Sequence, residues 1–583
     1  MTSPPAGYIP VAPLEELQQR GVLVVRGRNV PIAVYHHQGT VAAVDNRCPH
    51  MGFPLHQGTI KDGILTCHWH QARFDLCSGC TFDLWADDVL PYDTTVVDGT
   101  VYVSTRPRIL PGPEYHRGRL LRGMERNIGL VQAKSLLGLL DGGTDFREVI
   151  RTIAEFGSRH HDAWGPGMTC LAICANLHPQ LSRETAYFAL ATALDELAGE
   201  CASAPVRRER EPLGDGRHDP EQLKRWLRQW TRGRHRDGAE RTFLAAVEQQ
   251  APPAQLADIL FTAASDRPYA DIGHVLDFAN KMFELCDYLG GEYLPRFAPL
   301  LMNGLVRARG GEESAHWHHP TDLIGPLREA EAELPRLLGT PRNPAWEAPA
   351  GFGDTLLGDD PLAILAALRD ALAKGAPPEE LPKHIAWAAA LRLARFATTN
   401  DVRDWFEPRH TFTHANAVHR AVLRSPAPDT VRTIFHAAIA VYHDRFLNVP
   451  PAPLPGERKP LDDLPEDAAE LRHLLLATLD RRAEIDAAAR IAVRYMRLGH
   501  PWDALIDTLT YATVREDIDF HPFQVLEAGV RQCAQWHGRP EAEHIVTGIV
   551  RSLAAACPTP RGNLQTATIA LRLHRNEKVY EEE

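Results

Sequence analysis

No stretch of this 583-residue chain is apolar over the ~20 residues that a membrane-spanning helix needs, so no membrane segment is expected. Positive charge is also in short supply. Lys and Arg number 63 against 75 Asp and Glu, the net charge is −12, and no basic stripe gathers in one place. That argues against a nucleic-acid partner. The Arg-rich stretch 206–211 is interrupted by Glu and reads as a solvated linker. Ten cysteines are too few for a disulfide framework at this length. Reduced thiols of a cytoplasmic protein are expected. Met1–Pro13 lacks both the basic and the apolar segment of a secretory signal. What is present, 44% hydrophobic and 24% charged residues, is the composition of a soluble globular protein. A chain this long divides into roughly two to four units.

Two of the cysteines belong to the strongest motif. Cys48-Pro49-His50 is followed, after sixteen residues, by Cys67-His68-Trp69-His70. One Cys and one His come from each of two short loops. That is the ligand set of a Rieske [2Fe-2S] centre, with Cys48 and Cys67 on one iron and His50 and His70 on the other. Thiolates suit a buried ferric iron, and neutral imidazoles leave the outer iron less negative. Cys₂His₂ also suits tetrahedral zinc, which is the alternative reading of the same four residues.

Around the motif the chain reads as all-β. The β-branched runs 22–25, 31–35, 40–44, 63–66 and 100–104 are separated by Gln38-Gly39, Asp62-Gly63 and Asp98-Gly99. A small antiparallel barrel or sandwich is expected, with the ligand loops at strand ends. Residues 8–104 resemble a Rieske domain of the ferredoxin and oxygenase type. The respiratory type adds a disulfide between the two loops, and no cysteine is available for one here. The resemblance implies an electron-transfer cluster toward the lower end of the roughly −150 to +300 mV Rieske range. It also implies a ferredoxin or flavin reductase as electron donor. Cys77 and Cys80 form an extra CxxC, either a redox dithiol or two loop thiols.

Residues 105–119, with Pro107, Pro111, Gly112 and Pro113, read as a linker. From 120 to 583 the sequence is rich in Ala, Leu, Arg and Glu at helical spacing, as in 185–197, 221–230, 361–373, 386–396 and 468–499. Pro- and Gly-rich breaks fall at 202–219, 339–360 and 448–467, without a fixed repeat. The expectation is a multidomain protein, a small all-β domain followed by a large, irregular all-α domain. The alternating pattern and iron motif of the usual Rieske oxygenase catalytic domain are missing.

The helical part holds most of the 28 histidines. They group as His160-His161-Asp162, His274 with Asp277 and Lys281, His316–His319, His410 with His414 and His419, His436 with His443-Asp444, and Asp519 with His521. His410 and His414, four residues apart, can chelate one ion from one helix face. Asp277 is a candidate carboxylate ligand or a partner that orients a His. Each histidine alone is more often an ordinary core or surface residue. Together, on separate helices beside an electron-transfer cluster, they suggest a metal site in a bundle core, and only a redox metal such as iron uses electrons. The layout also resembles the questin oxidase-like family through 156–161, 272–277, 411–414 and 516–524, with Gln524 where that family has Lys. That resemblance implies iron ligands at His160 or His161, His274, His414 and His521, and oxidation of an organic ring.

The leading expectation is an iron-dependent oxygenase using O₂ on an organic substrate in an apolar pocket, with Trp164, Phe278 and Phe412 as wall residues. The alternative is a non-enzymatic redox module whose helical part binds a protein partner. A hydrolase built on His161-Asp162 or His443-Asp444 is a third, weaker reading. Whether electrons move within one chain or across a homo-oligomer is left open.

Overall fold

A computed structural model describes residues 4–28, 30–214, 216–577 and 579. Its described strands are β1 (Tyr8–Pro13), β2 (Val22–Arg26), β3 (Pro31–His37), β4 (Thr40–Asp45), β5 (Thr59–Lys61), β6 (Ile64–Thr66), β7 (Arg73–Asp75), β8 (Pro91–Val97) and β9 (Thr100–Pro107). Each expected β-branched run falls on a strand. β1, β5, β7 and β8 lie outside those runs. A six-stranded sheet has the order β1-β9-β8-β4-β3-β2, and β5-β6-β7 form a second sheet. All pairings are antiparallel. The pairs Gln38-Gly39, Asp62-Gly63 and Asp98-Gly99 each have positive φ at both residues, the geometry of the tightest hairpin turns.

Alternation along β3 decides where the core sits. Ile32 and Val34 join one buried cluster with Leu17, Tyr92 and Val101. Ala33 and Tyr35 point the other way, into a cluster with Leu55, Leu65 and Phe74 that also holds Cys48 and Cys67. The thiols are therefore part of a packed core, and the loops that carry them hang from it.

The chain divides into two compact units. The first runs to Val149 and takes in the segment from Gly562 onward; the second is Ile150–Arg561. In the first, the β-domain is joined by the helices Pro113–Glu125 and Gly129–Asp141, and by Gly562–His574, which packs on Gly129–Asp141. The expected linker is shorter than 105–119, because β9 reaches Pro107 and Pro113 opens a helix, where its missing N–H costs nothing.

The second unit is helical. The stretch 468–499, which has helical spacing in the sequence, forms two helices, Ala468–Leu479 and Ile485–Arg497, separated where Ala483 turns left-handed at φ 64°. Three helices matter most: His274–Leu289, Phe406–Arg424 and His521–Gln535. They run in the same direction. His274, His410 and His521 meet in their opening turns, and further along Lys281 meets Glu527 while Arg420 meets Glu284. Among the described residues no helix is long and apolar enough to cross a membrane.

Candidate redox centres

In the β-domain, loop one follows β4. The Cys48 N–H donates to the Phe53 carbonyl at 2.8 Å, and Gly52 N–H to the Cys48 carbonyl at 2.7 Å. Gly52 has φ 84°, a conformation that suits glycine. Loop two joins β6 to β7, with Cys67 N–H donating to Ala72 at 2.8 Å. The loops set His50 and His70 edge to face, ring centres 4.7 Å apart. Trp85 packs edge-on against His50 at 4.7 Å. Cys48 and Cys67 are buried and His70 is exposed, so the thiols lie inside and one imidazole faces solvent.

Four observations bear on what the loops hold. The hydrogen bond between the two thiols holds Cys67 at about 6, against the effect of burial, and the backbone N–H groups of Trp69 and His70 favour its thiolate further. Burial, then the charges of His70 and Lys134, holds His50 at about 4, so its imidazole is neutral. The His50 Nδ1 is buried without a partner, as a ligating nitrogen would be. A single zinc ion would need all four donors about 3–4 Å apart. Among the described residues, the group of three or more such donors within 4.8 Å of one another is a different one. A thiol pair and an imidazole pair held apart fit a two-iron cluster and not one ion.

That other group is His274, His410 and His521. Its Nε2 atoms face one another, with His410 3.0 Å and His521 3.5 Å from that of His274. Two outer nitrogens are already engaged. His410 Nδ1–H donates to the Phe406 carbonyl at 2.7 Å, and His521 Nδ1–H donates to Asp519 at 2.7 Å. This is how metal-bound imidazoles are oriented, with the tautomer fixed from behind and Nε2 left bare. Burial, then neighbouring imidazoles, lowers His274 to about 3 and His410 to about 2. Burial pushes the Asp519 carboxyl up, but its hydrogen bond with His521 and the Arg409 charge outweigh this and leave it below its ordinary value.

The backbone before His274 is strained. Tyr269, Asp271 and Ile272 all have φ of 50°, and Gly273 has φ 94°. For a β-branched residue such as Ile272 this region is a genuine outlier, and such residues cost roughly 1–3 kcal/mol each. The turn aims His274 at its partners. Gly273 is required twice over, because a Cβ there would lie 2.6 Å from that of His414.

The sequence nominated six histidines for this site, and three converge. His414 is buried one turn beyond His410, beside Gly273 and the Tyr269 ring at 5.0 Å, and supports the turn. His160 stacks on Phe156 at 4.2 Å, and His161 lies 3.5 Å from the Glu200 carboxylate. Asp277 is 2% exposed and stands outside the donor group. Burial pushes it up to about 8, with Lys281 opposing, and its Oδ2 has no partner. Deeper still, Lys281 binds Glu527 at 2.5 Å and Glu284 at 3.0 Å, and Asn176, Arg420 and Arg531 complete a buried ionic network. The sequence reading missed Glu284, Glu527 and Arg531, although Lys281/Glu284 and Glu527/Arg531 have the helical pair spacing. Of the two His-Asp dyads, Asp162 is claimed by Arg207 and Arg236, and neither dyad gathers a third donor among the described residues.

A cavity of about 260 Å³ adjoins the triad, lined by His274, Trp164, Val275, Phe278, Leu300 and Leu305, with Asp271, Asn303 and Arg307 as polar lining. Trp164 and Phe278 both line this cavity. Phe412 is buried elsewhere in the core. Cys77 and Cys80 are free and exposed in the turn after β7.

Fold and site define an electron-transfer iron–sulfur domain at the start of the chain. A family model described as Rieske [2Fe-2S] domain matches residues 7–88. The 3-phenylpropionate/cinnamic acid dioxygenase ferredoxin subunit of Photorhabdus laumondii is 34% identical over 96 residues, 16% of this chain and 90% of that protein. A ferredoxin component of naphthalene 1,2-dioxygenase/salicylate 5-hydroxylase systems from Ralstonia sp is 32% identical over 72 residues, 12% of this chain and 69% of that one. A 4beta-methylsterol monooxygenase of Methylococcus capsulatus is 41% identical over 66 residues, 11% of this chain, and the chain spans only 18% of its length. Through this segment the chain belongs to the Rieske [2Fe-2S] domain family, and a [2Fe-2S] cluster is its cofactor. No family matches the helical unit. The expected likeness of that unit to the questin oxidase-like family has no family match behind it.

Proposed function

We propose that the protein is an iron-dependent oxidoreductase of the oxygenase kind, with an electron port in its N-terminal domain and an oxidation site in its helical unit. Cys48 and Cys67 hold one iron of the cluster, and His50 and His70 the other. The exposed imidazole of His70 marks the side on which electrons enter or leave. A ferredoxin or flavin reductase supplies them, in keeping with the relatives named as components of dioxygenase systems.

One observation carries the helical half of this reading, the three Nε2 atoms brought together with Asp519 and the Phe406 carbonyl behind two of them. Three imidazole nitrogens suit iron, copper or zinc, and a cluster that delivers single electrons favours iron. Iron bound there supplies one-electron chemistry toward O₂. The protein's own part is to keep His274 and His410 deprotonated by burial, to orient all three imidazoles and to exclude water. Trp164, Val275, Phe278, Leu300 and Leu305 offer an apolar organic substrate a place beside His274. The carbon skeleton of that substrate is set by this cavity and not by the Rieske domain.

The test uses full-length protein reduced anaerobically, freed of reductant and mixed with O₂, with the cluster's visible absorption followed in time. Wild type re-oxidises rapidly. A His521→Ala variant that keeps the reduced-cluster spectrum re-oxidises at least tenfold more slowly. Equal rates in the two proteins overturn the proposal, because the electrons then do not pass through the triad.

A further inference from the structure

Lys134 lies on the helix Gly129–Asp141, outside residues 7–88, yet it reaches the centre of the cluster site. Its ammonium donates to the carbonyl of Pro49 at 2.5 Å. Pro49 is the residue between Cys48 and His50. The same ammonium pairs with Asp87, which Arg119 holds from its other side at 2.8 Å. Arg119 also donates to the Ala86 carbonyl at 2.9 Å. Trp85, two residues before Asp87, packs on His50. Side-chain exposures of 18%, 7% and 16% for Lys134, Arg119 and Asp87 place the group in a weakly screened setting.

Lys134 and Arg119 share the Asp87 carboxylate, and Lys134 is the cation that touches loop one, at the Pro49 carbonyl. Reduction of the cluster brings in one electron from an external donor and makes the site more negative by one unit. A fixed positive charge behind the Cys48–His50 peptide lowers the free energy of the reduced state more than that of the oxidised state. We propose that Lys134 is a positioning residue of the redox centre, holding the Pro49 carbonyl and raising the cluster's potential from a helix that the family match does not include. Asp87 opposes it and sets how much of its charge the cluster feels. This inference rests on the [2Fe-2S] centre and not on the helical iron site.

The test measures the midpoint potential of full-length protein by anaerobic spectroelectrochemical titration, at constant pH and ionic strength, with the EPR spectrum of the reduced cluster recorded alongside. Lys134→Met lowers the reduced-to-oxidised ratio at fixed solution potential about tenfold, which is about 59 mV for one electron. Lys134→Arg restores most of the shift. Asp87→Asn moves the potential the opposite way, upward, because both cations are then uncompensated. Should Lys134→Met fail to retain its cluster, the sign for Asp87→Asn decides. Potentials unchanged in cluster-loaded variants, or shifted downward in both, overturn the proposal; the persisting Rieske absorption then shows that the cluster assignment stands.

Discussion

The Nε2 atoms of His274 and His410 lie 3.0 Å apart although the residues are 136 positions apart in sequence. His410 already gives its Nδ1 hydrogen to the Phe406 carbonyl, so a lone pair points from its Nε2 toward His274. Metal–nitrogen bonds of about 2.1 Å at angles near 90–110° separate two ligand nitrogens by about 3.0–3.4 Å. The observed spacing matches that of two ligands of one ion.

Asp519→Asn weakens metal binding at the triad by about 10–100-fold, the usual effect of losing the carboxylate behind a ligating histidine. Competition with a chelator of known affinity measures it. An unchanged affinity would show that Asp519 serves only the helix start, where its Oδ1 also accepts the His521 backbone N–H at 2.9 Å.

Gly273→Ala costs about 1–3 kcal/mol of stability, through the clash with His414 and the loss of a left-handed glycine. Denaturant midpoints check this. Metal affinity falls in the same variant, because the turn that aims His274 must shift.

Lys281→Met destabilises the helical unit by about 3–5 kcal/mol, since Glu284 and Glu527 are left buried with less compensation. Thermal or denaturant unfolding reads the loss. A double variant that also neutralises Glu527 recovers part of it.

Acid weakens the helical unit through histidines remote from the triad. Burial, with Lys383 and Arg539 nearby and Glu380 opposing, lowers His384 to about 4. Its ordinary value is about 6.5. Between those limits the unfolded chain binds a proton that the folded chain refuses, so stability falls as pH drops from about 6.5 toward 4 and is level above that window. His384→Gln flattens the slope of unfolding free energy by about 1.4 kcal/mol per pH unit. An unaltered slope would contradict the buried neutral assignment.

The β-domain and its ligands were legible because their signals are local. Cys48, His50, Cys67 and His70 have diagnostic spacing, and two-residue turns mark the hairpins. The helical site was legible only as a set of candidates. His274, His410 and His521 come from three helices far apart in sequence, and nothing in their spacing says that these three converge while His160, His161 and His414 do not. The deciding contacts are tertiary, as with the Phe406 carbonyl behind His410. The strained turn before His274 leaves no mark except Gly273. Lys134 looks like any helical lysine until the fold brings its helix against Pro49.

The most direct test is the ratio of iron to acid-labile sulfide in full-length protein reconstituted anaerobically with ferrous iron and sulfide. The account predicts one more iron than sulfide per chain in wild type. In His410→Ala the extra iron is lost and the Rieske spectrum is kept. Equal iron and sulfide in reconstituted wild type, or an excess of iron that survives His410→Ala, would contradict it.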